Sequence, residues 1–161
     1  MSALLEQLRD GNVLRLTLCD DANRNALSLA MLQDMKEALA VASMTPDIHV
    51  IVFAARGRAF SSGHNLKELT AHRGDDDHGL AFFEDLFATC ASVMTAISQH
   101  RCAIITEVDG AATAAGCQLV AACDLAFASP NSTFCTPGVN IGLFCSTPMV
   151  PLTRATGSKH A

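Results

Sequence analysis

What the sequence lacks narrows the field first. No apolar run approaches the ~20 residues needed to cross a bilayer, so no membrane span is expected. Lys and Arg number only 11 against 16 Asp and Glu, a net charge of -5. Nucleic-acid binding needs concentrated positive charge, and that class is excluded. The opening Met1-Ser2-Ala3-Leu4-Leu5-Glu6-Gln7 has no basic segment and no long apolar stretch. It therefore reads as neither a secretory signal nor a transit peptide. The seven cysteines are an odd number and form no C-x-x-C pair, which argues against a disulfide or zinc framework. Cys90, Cys117 and Cys123 sit inside apolar runs and read as reduced core thiols. The resulting expectation is a cytoplasmic protein with no metal.

Half of the 161 residues are hydrophobic, enough for one domain with a real core. No internal repeat, low-complexity segment or domain boundary interrupts it. Residues 13–18, Val-Leu-Arg-Leu-Thr-Leu, alternate with period two and predict a half-buried strand. Residues 19–25 are turn chemistry. Ser28 is positioned to cap a helix whose Met31, Leu32, Met35, Ala38, Leu39 and Ala42 follow helical spacing. Pro46-Asp47 ends it, and residues 48–55 predict a buried strand. Residues 72–79 form a polar, acidic loop. A long helix is predicted from Leu80, with Phe83, Phe87, Cys90, Ala91, Met94 and Ile97 as its apolar stripe. Strands are predicted at 103–108 and 125–128, and residues 132–135 run towards a turn at Pro137-Gly138. This strand–turn–helix alternation implies stacked βα units in an α/β fold.

Two stretches stand out. Asp109-Gly110-Ala111-Ala112-Thr113-Ala114-Ala115-Gly116-Cys117-Gln118 follows one apolar strand and opens a helix. Its small residues let the backbone turn sharply and let a ligand approach the main chain. A helix starting there presents unpaired N–H groups and a positive dipole end, which suits a carbonyl oxygen gaining negative charge. Arg56-Gly57-Arg58-Ala59-Phe60-Ser61-Ser62-Gly63-His64-Asn65-Leu66-Lys67-Glu68-Leu69 repeats the arrangement after residues 50–55.

Together these segments resemble the crotonase (enoyl-CoA hydratase/isomerase) superfamily, whose G-R-A-F-S-x-G-x-D-L-K-E and N-G-x-x-x-G-G-G-x-E-L motifs each supply one oxyanion-hole N–H. Asn25-Ala26-Leu27, Cys123-Asp124-Leu125 and residues 152–157 extend the resemblance over nearly the whole chain, in family order. It implies a crotonase-like (ClpP/crotonase) spiral of ββα units spanning residues 1–161. It further implies an acyl-CoA thioester as partner, with coenzyme A present as part of the substrate and no prosthetic group. Fatty-acid metabolism and a homotrimer or hexamer follow from the same likeness. By motif alignment the two donors are the backbone N–H groups of His64 and Ala115, and Ala59, Ser61, Gly63, Asn65, Leu66, Lys67, Gly110 and Ala114 lie along the substrate. Residues 152–161 read like the opening of a helix that stops, whereas the family continues into a helical C-terminal region. The expectation is a core domain truncated before that region.

The matched side chains tell a different story. The family's two acid–base glutamates fall on Gln118 and Gly138. An amide can orient a water but exchanges no proton near neutral pH, and glycine does neither. Two readings follow: an enoyl-CoA hydratase/isomerase, or a degenerate relative that binds acyl-CoA or a partner subunit. His64 titrates in the useful range, yet also reads as a loop histidine whose backbone matters. Glu68 reads as a surface carboxylate, Asp124 as a structural hydrogen-bonding group and Cys117 as an inert thiol. Ser61 and Ser62 lack ordered His and Asp partners for a nucleophilic triad. Lys67, Arg56 and Arg58 are candidates for the coenzyme A phosphates.

Overall fold

The computed structural model describes residues 4–161, so residues 1–3 of the segment read for targeting signals lie outside the described residues. Three ββα turns follow one another. In each, a longer strand joins a five-stranded sheet and a short strand joins a three-stranded one. The turns are β3 (Val50–Ala55), β4 (Ala59–Ser61) and α2 (Leu66–His72); β5 (Ala103–Val108), β6 (Ala111–Thr113) and α4 (Ala115–Ala122); and β7 (Leu125–Ala128), β8 (Thr133–Cys135) and α5 (Ser146–Thr156). Ahead of them stand the hairpin β1 (Leu5–Asp10) and β2 (Val13–Leu18), then α1 (Leu29–Ser43); α3 (Leu80–Ser98) joins the first turn to the second.

The large sheet has the order β1-β2-β3-β5-β7, with β1 antiparallel to β2 and all other pairs parallel. The small sheet, β4-β6-β8, is wholly parallel. Parallel strands need crossovers, and the helices supply them. β3 is Val-Ile-Val-Phe-Ala-Ala because both of its faces are covered, which removes the polar alternation of a half-exposed strand.

α1 forms as its spacing requires. The Ser28 hydroxyl accepts from the Met31 N–H at 3.2 Å, and the six predicted apolar positions are its buried face. The guanidinium of Arg101 closes the other end by donating to the carbonyls of Ala42, Ser43, Thr45 and Ile48. The core is continuous, with Leu16, Leu27, Met35, Phe53, Phe60 and Leu86 enclosed.

Two expectations are corrected, and one strand was not foreseen. β1 exists although its sequence, Leu-Glu-Gln-Leu-Arg-Asp, buries only Leu5; cross-strand pairing with β2, not apolar pattern, makes it a strand. The stripe of α3 is rotated: Leu86, Thr89, Cys90, Val93, Met94 and Ile97 are buried, while Phe87 is 51% exposed and Ala91 also faces outward. Those two residues border a cavity instead. Among the described residues α3 alone is long and apolar enough by length and composition to cross a membrane. Its buried face packs into the core, which accounts for that composition. Finally, residues 152–156 are the last turn of α5, which starts at Ser146 and tolerates Pro151 inside it. They do not open a new helix.

Candidate active site

The turns after β4 and β6 abut because the small sheet holds those strands side by side. The Thr113 hydroxyl donates to the Ser62 carbonyl at 3.0 Å, and the Ser61 hydroxyl accepts from the Gly63 N–H at 3.3 Å. Gly63 has φ +85°, and a Cβ there would lie 2.9 Å from the Ala114 Cβ and 3.1 Å from the Ala115 nitrogen. Only glycine lets the two chains meet this closely. On the next turn, a Cβ at Gly116 would lie 2.5 Å from the Ser61 carbonyl oxygen, so α4 packs directly on β4.

A third segment braces this junction. Asn25 is fully buried; its Oδ1 accepts from the Asp20 N–H at 2.8 Å, and its Nδ2 donates to the carbonyls of Arg56 at 2.7 Å and Ala59 at 2.8 Å. Beside it, the Leu27 N–H donates to the Gly63 carbonyl at 2.8 Å and the Ser62 N–H to the Arg24 carbonyl at 3.1 Å. The Asn-Ala-Leu motif is therefore the strut that fixes the loop carrying His64.

Neither the His64 N–H nor the Ala115 N–H donates to a described residue. Ala115 is the first residue of α4, where an N–H has no helical acceptor. Both residues border one cavity of about 310 Å³, together with Phe87, Cys90, Gln118 and the segment 143–148. Ala114, just before the helix, has φ 51° and ψ -121°, a conformation that favours glycine; its own N–H is held by the Cys135 carbonyl at 2.9 Å.

The His64 ring is mostly buried, which lowers its pKa below the usual histidine value; the Leu27 carbonyl partly opposes the shift. Its Nδ1 lies 3.3 Å from that carbonyl, and since a carbonyl only accepts, Nδ1 carries the proton and Nε2 keeps its lone pair. The ring packs edge-on against Phe87 at 5.3 Å.

The remaining sequence candidates divide. Gln118 is in the wall of the cavity, but Gly138 is buried off it in the 3-10 turn Pro137–Ile141. A Cβ at Gly138 would lie 2.6 Å from both the Leu143 carbonyl oxygen and the Cys145 sulfur, so no larger side chain fits. Asn65 caps α2, its Oδ1 accepting from the N–H groups of Lys67 and Glu68. Leu66 and Lys67 border a second cavity of about 400 Å³ on the other side of His64. Arg24 lines it too, a cation the motifs did not single out. Arg56 instead pairs with Glu6 at 2.7 Å, and the Arg58 N–H donates to the Asp21 carboxylate at 3.1 Å. Glu68 is half-buried and accepts from the Leu29 N–H at 3.2 Å, which makes it a tie between α2 and α1. Asp124 is structural, accepting from the Ile104 N–H at 2.7 Å. Ala59 and Ser61 are buried in β4, and Gly110 accepts from the Thr133 N–H at 3.3 Å, so all three shape the junction from behind. All seven cysteines are free; burial raises the thiol pKa of Cys90 to about 11 and raises those of Cys117 and Cys123. Segment 143–148 was missed because it meets the site only through the third turn of the spiral.

Stacked ββα turns with two small-residue loops meeting at a helix N-terminus define a crotonase-fold protein. Solved structures agree: human enoyl Coenzyme A hydratase domain-containing protein 3 superposes with a TM-score of 0.86 at 44% identity, over 94% of this chain and 58% of that one. An enoyl-CoA hydratase from Mycobacterium smegmatis gives 0.90 at 45% identity, over 99% and 60%. The family model described as "Enoyl-CoA hydratase/isomerase" matches residues 9–161, and the chain belongs to that family. Among curated relatives, the Xenopus laevis protein named "Enoyl-CoA hydratase domain-containing protein 3, mitochondrial" is 49% identical over 153 residues, 95% of this chain and 50% of the relative. Its human counterpart is 49% identical over 146 residues, 91% and 46%. The chain thus spans about half the length of the curated relatives it matches. Their mitochondrial names overturn the cytoplasmic expectation. Reduced core thiols report a reducing environment, not an address, and a core's composition does not distinguish compartments.

Proposed function

We propose that this chain binds an acyl-CoA thioester, with the thioester oxygen held between the N–H groups of His64 and Ala115. One observation carries the reading: two abutting loops each leave a backbone donor unpaired at the same largely apolar cavity. Such donors stabilise an enolate-like transition state, and removing one typically costs about 3 kcal/mol. The second cavity, bordered by Arg24 and Lys67, suits the phosphates of coenzyme A. Coenzyme A enters as part of the substrate, and no prosthetic group is invoked.

The reaction of the family, hydration or isomerisation of an enoyl thioester in fatty-acid metabolism, is the first reading. A degenerate, binding-only relative is the one favoured by Gln118 and by the filled space at Gly138. General acid–base groups contribute roughly 10²–10⁴-fold each, so a site lacking both carboxylates should turn over little. The compartment proposed is the mitochondrion, by likeness to the relatives. A homotrimer or hexamer is proposed as the assembly: Phe127, Val139, Ile141 and Phe144 are exposed along the last turn of the spiral, a face that association would cover. The test is an acyl-CoA binding titration beside a crotonyl-CoA hydration assay, with light scattering for the assembly. Binding with negligible hydration is expected. Absence of binding refutes the thioester reading, and enzyme-like hydration refutes the degenerate one.

A further inference from the structure

One of the free cysteines stands out by its place. Cys145 borders the same 310 Å³ cavity as the unpaired N–H groups of His64 and Ala115. Cys90 borders it too, but burial pushes that thiol up to about 11, which keeps it protonated and inert. Cys145 is only partly buried. Its sulfur lies 2.6 Å from where a Cβ on Gly138 would stand. It therefore fills the space in which a side chain at the family's second acid–base position would begin. Where that carboxylate is missing, a thiol takes up the room. The thiol does not serve the helix it precedes, since the Cys145 side chain makes no capping bond to α5.

A thiol attacks as the thiolate, so it needs a base, and the base needs a group that orients it. The His64 ring meets both conditions. Its Nδ1–H is held by the Leu27 carbonyl at 3.3 Å, which leaves the Nε2 lone pair without a partner among the described residues. Phe87, edge-on at 5.3 Å, keeps the ring at the cavity wall. Burial holds the imidazole neutral near pH 7, the form that accepts a proton. One cavity thus carries a nucleophile, an oriented base and two backbone donors for an oxygen, the set that acyl transfer requires.

Resting on the thioester reading above, we infer that Cys145 is a nucleophile that takes the acyl group from coenzyme A, with His64 as its base. The Cys145 sulfur attacks the thioester carbon, its proton passes to His64 Nε2, and the carbonyl oxygen becomes an oxyanion between the N–H groups of His64 and Ala115. Collapse of that intermediate breaks the bond to the coenzyme A sulfur, which leaves as the thiol with the proton from Nε2. One thioester replaces another, so no oxidant or reductant is consumed. Water, deprotonated by the same nitrogen, then cleaves the acyl–Cys145 bond to a carboxylic acid and the free thiol. The activity is acyl-CoA hydrolysis, and neither step draws on Gln118 or Gly138.

The experiment is incubation of the chain with excess butanoyl-CoA, followed by intact mass, peptide mapping and chromatography of released coenzyme A, beside a calorimetric binding titration. One butanoyl group on Cys145 is expected, with release of coenzyme A. Cys145→Ala should abolish both, whereas Cys135→Ala, which alters an exposed thiol off the cavity, should preserve them. His64→Gln keeps the backbone N–H and should slow acylation about 10²–10⁴-fold. Binding with neither adduct nor released coenzyme A overturns the inference while leaving the thioester reading intact. Absence of binding together with absence of reaction overturns both. An adduct mapped to another cysteine, release that persists in Cys145→Ala, or acylation unslowed in His64→Gln overturns it too.

Discussion

Replacing Ala114 by glycine should stabilise this protein, against the usual direction for that substitution. Ala114 sits at φ 51°, ψ -121°, immediately before α4, with its N–H fixed on the Cys135 carbonyl. A non-glycine residue in such a region carries strain of about 1–3 kcal/mol, because its Cβ crowds the adjoining peptide. Glycine removes that strain but widens the unfolded ensemble, at a cost of about 0.4–1 kcal/mol. The balance is a gain of about 0.5–2 kcal/mol. For a chain of this size each kcal/mol moves the melting temperature by about 2–4 °C, so a rise of about 1–8 °C is expected. Thermal melts followed by circular dichroism, with urea unfolding as the equilibrium check, measure it. The slope of the urea transition should not change, since the substitution alters strain and not the surface exposed on unfolding. A variant that melts at or below the parent refutes the reasoning, and would mean that the loop relaxes around alanine without strain.

Asn25→Ala should lose at least about 3 kcal/mol, since it removes the three hydrogen bonds of a buried side chain, strands the Arg56 and Ala59 carbonyls and leaves alanine at φ 50°; urea unfolding checks it. Gly138→Glu, the substitution that would return a carboxylate to the family's second position, should cost about 1–3 kcal/mol or more and restore no hydration, because its Cβ meets Leu143 and Cys145 at 2.6 Å. A melt and a crotonyl-CoA assay decide the matter. The buried His64 has a pKa below the usual histidine value, so the unfolded chain binds the proton more readily. Stability should therefore fall as pH drops below about 6.5, levelling off only beneath the folded pKa. Melting temperatures of the parent and His64→Gln at pH 7.5 and 5.5 should converge at the acid end.

The local code was legible wherever one element's own pattern decides its state. Ser28 and the six apolar positions of α1 specify a capped amphipathic helix by spacing alone, and the structure buries that set. The unbroken apolar residues of β3 announce a parallel strand covered on both faces, and small residues announce tight turns. The order of two such turns also carried the family, which the matched family model supports.

Pairing and contact could not be read this way. β1, β4 and β6 are strands because partners lie alongside, and a three-residue segment such as Ala59–Ser61 has no periodicity to display. Which side of α3 faces inward depended on α1 and the cavity around Phe87, not on the stripe itself. The same holds at the site. Motif spacing nominated His64, Ala115, Gln118 and Gly138 together, but only the packing of the third ββα turn decided that Gln118 borders a cavity while Gly138 is walled in by Leu143 and Cys145. A residue's type is written in the chain. Whether a buried polar group finds a partner, or waits without one, depends on what the rest of the fold brings within 3 Å of it.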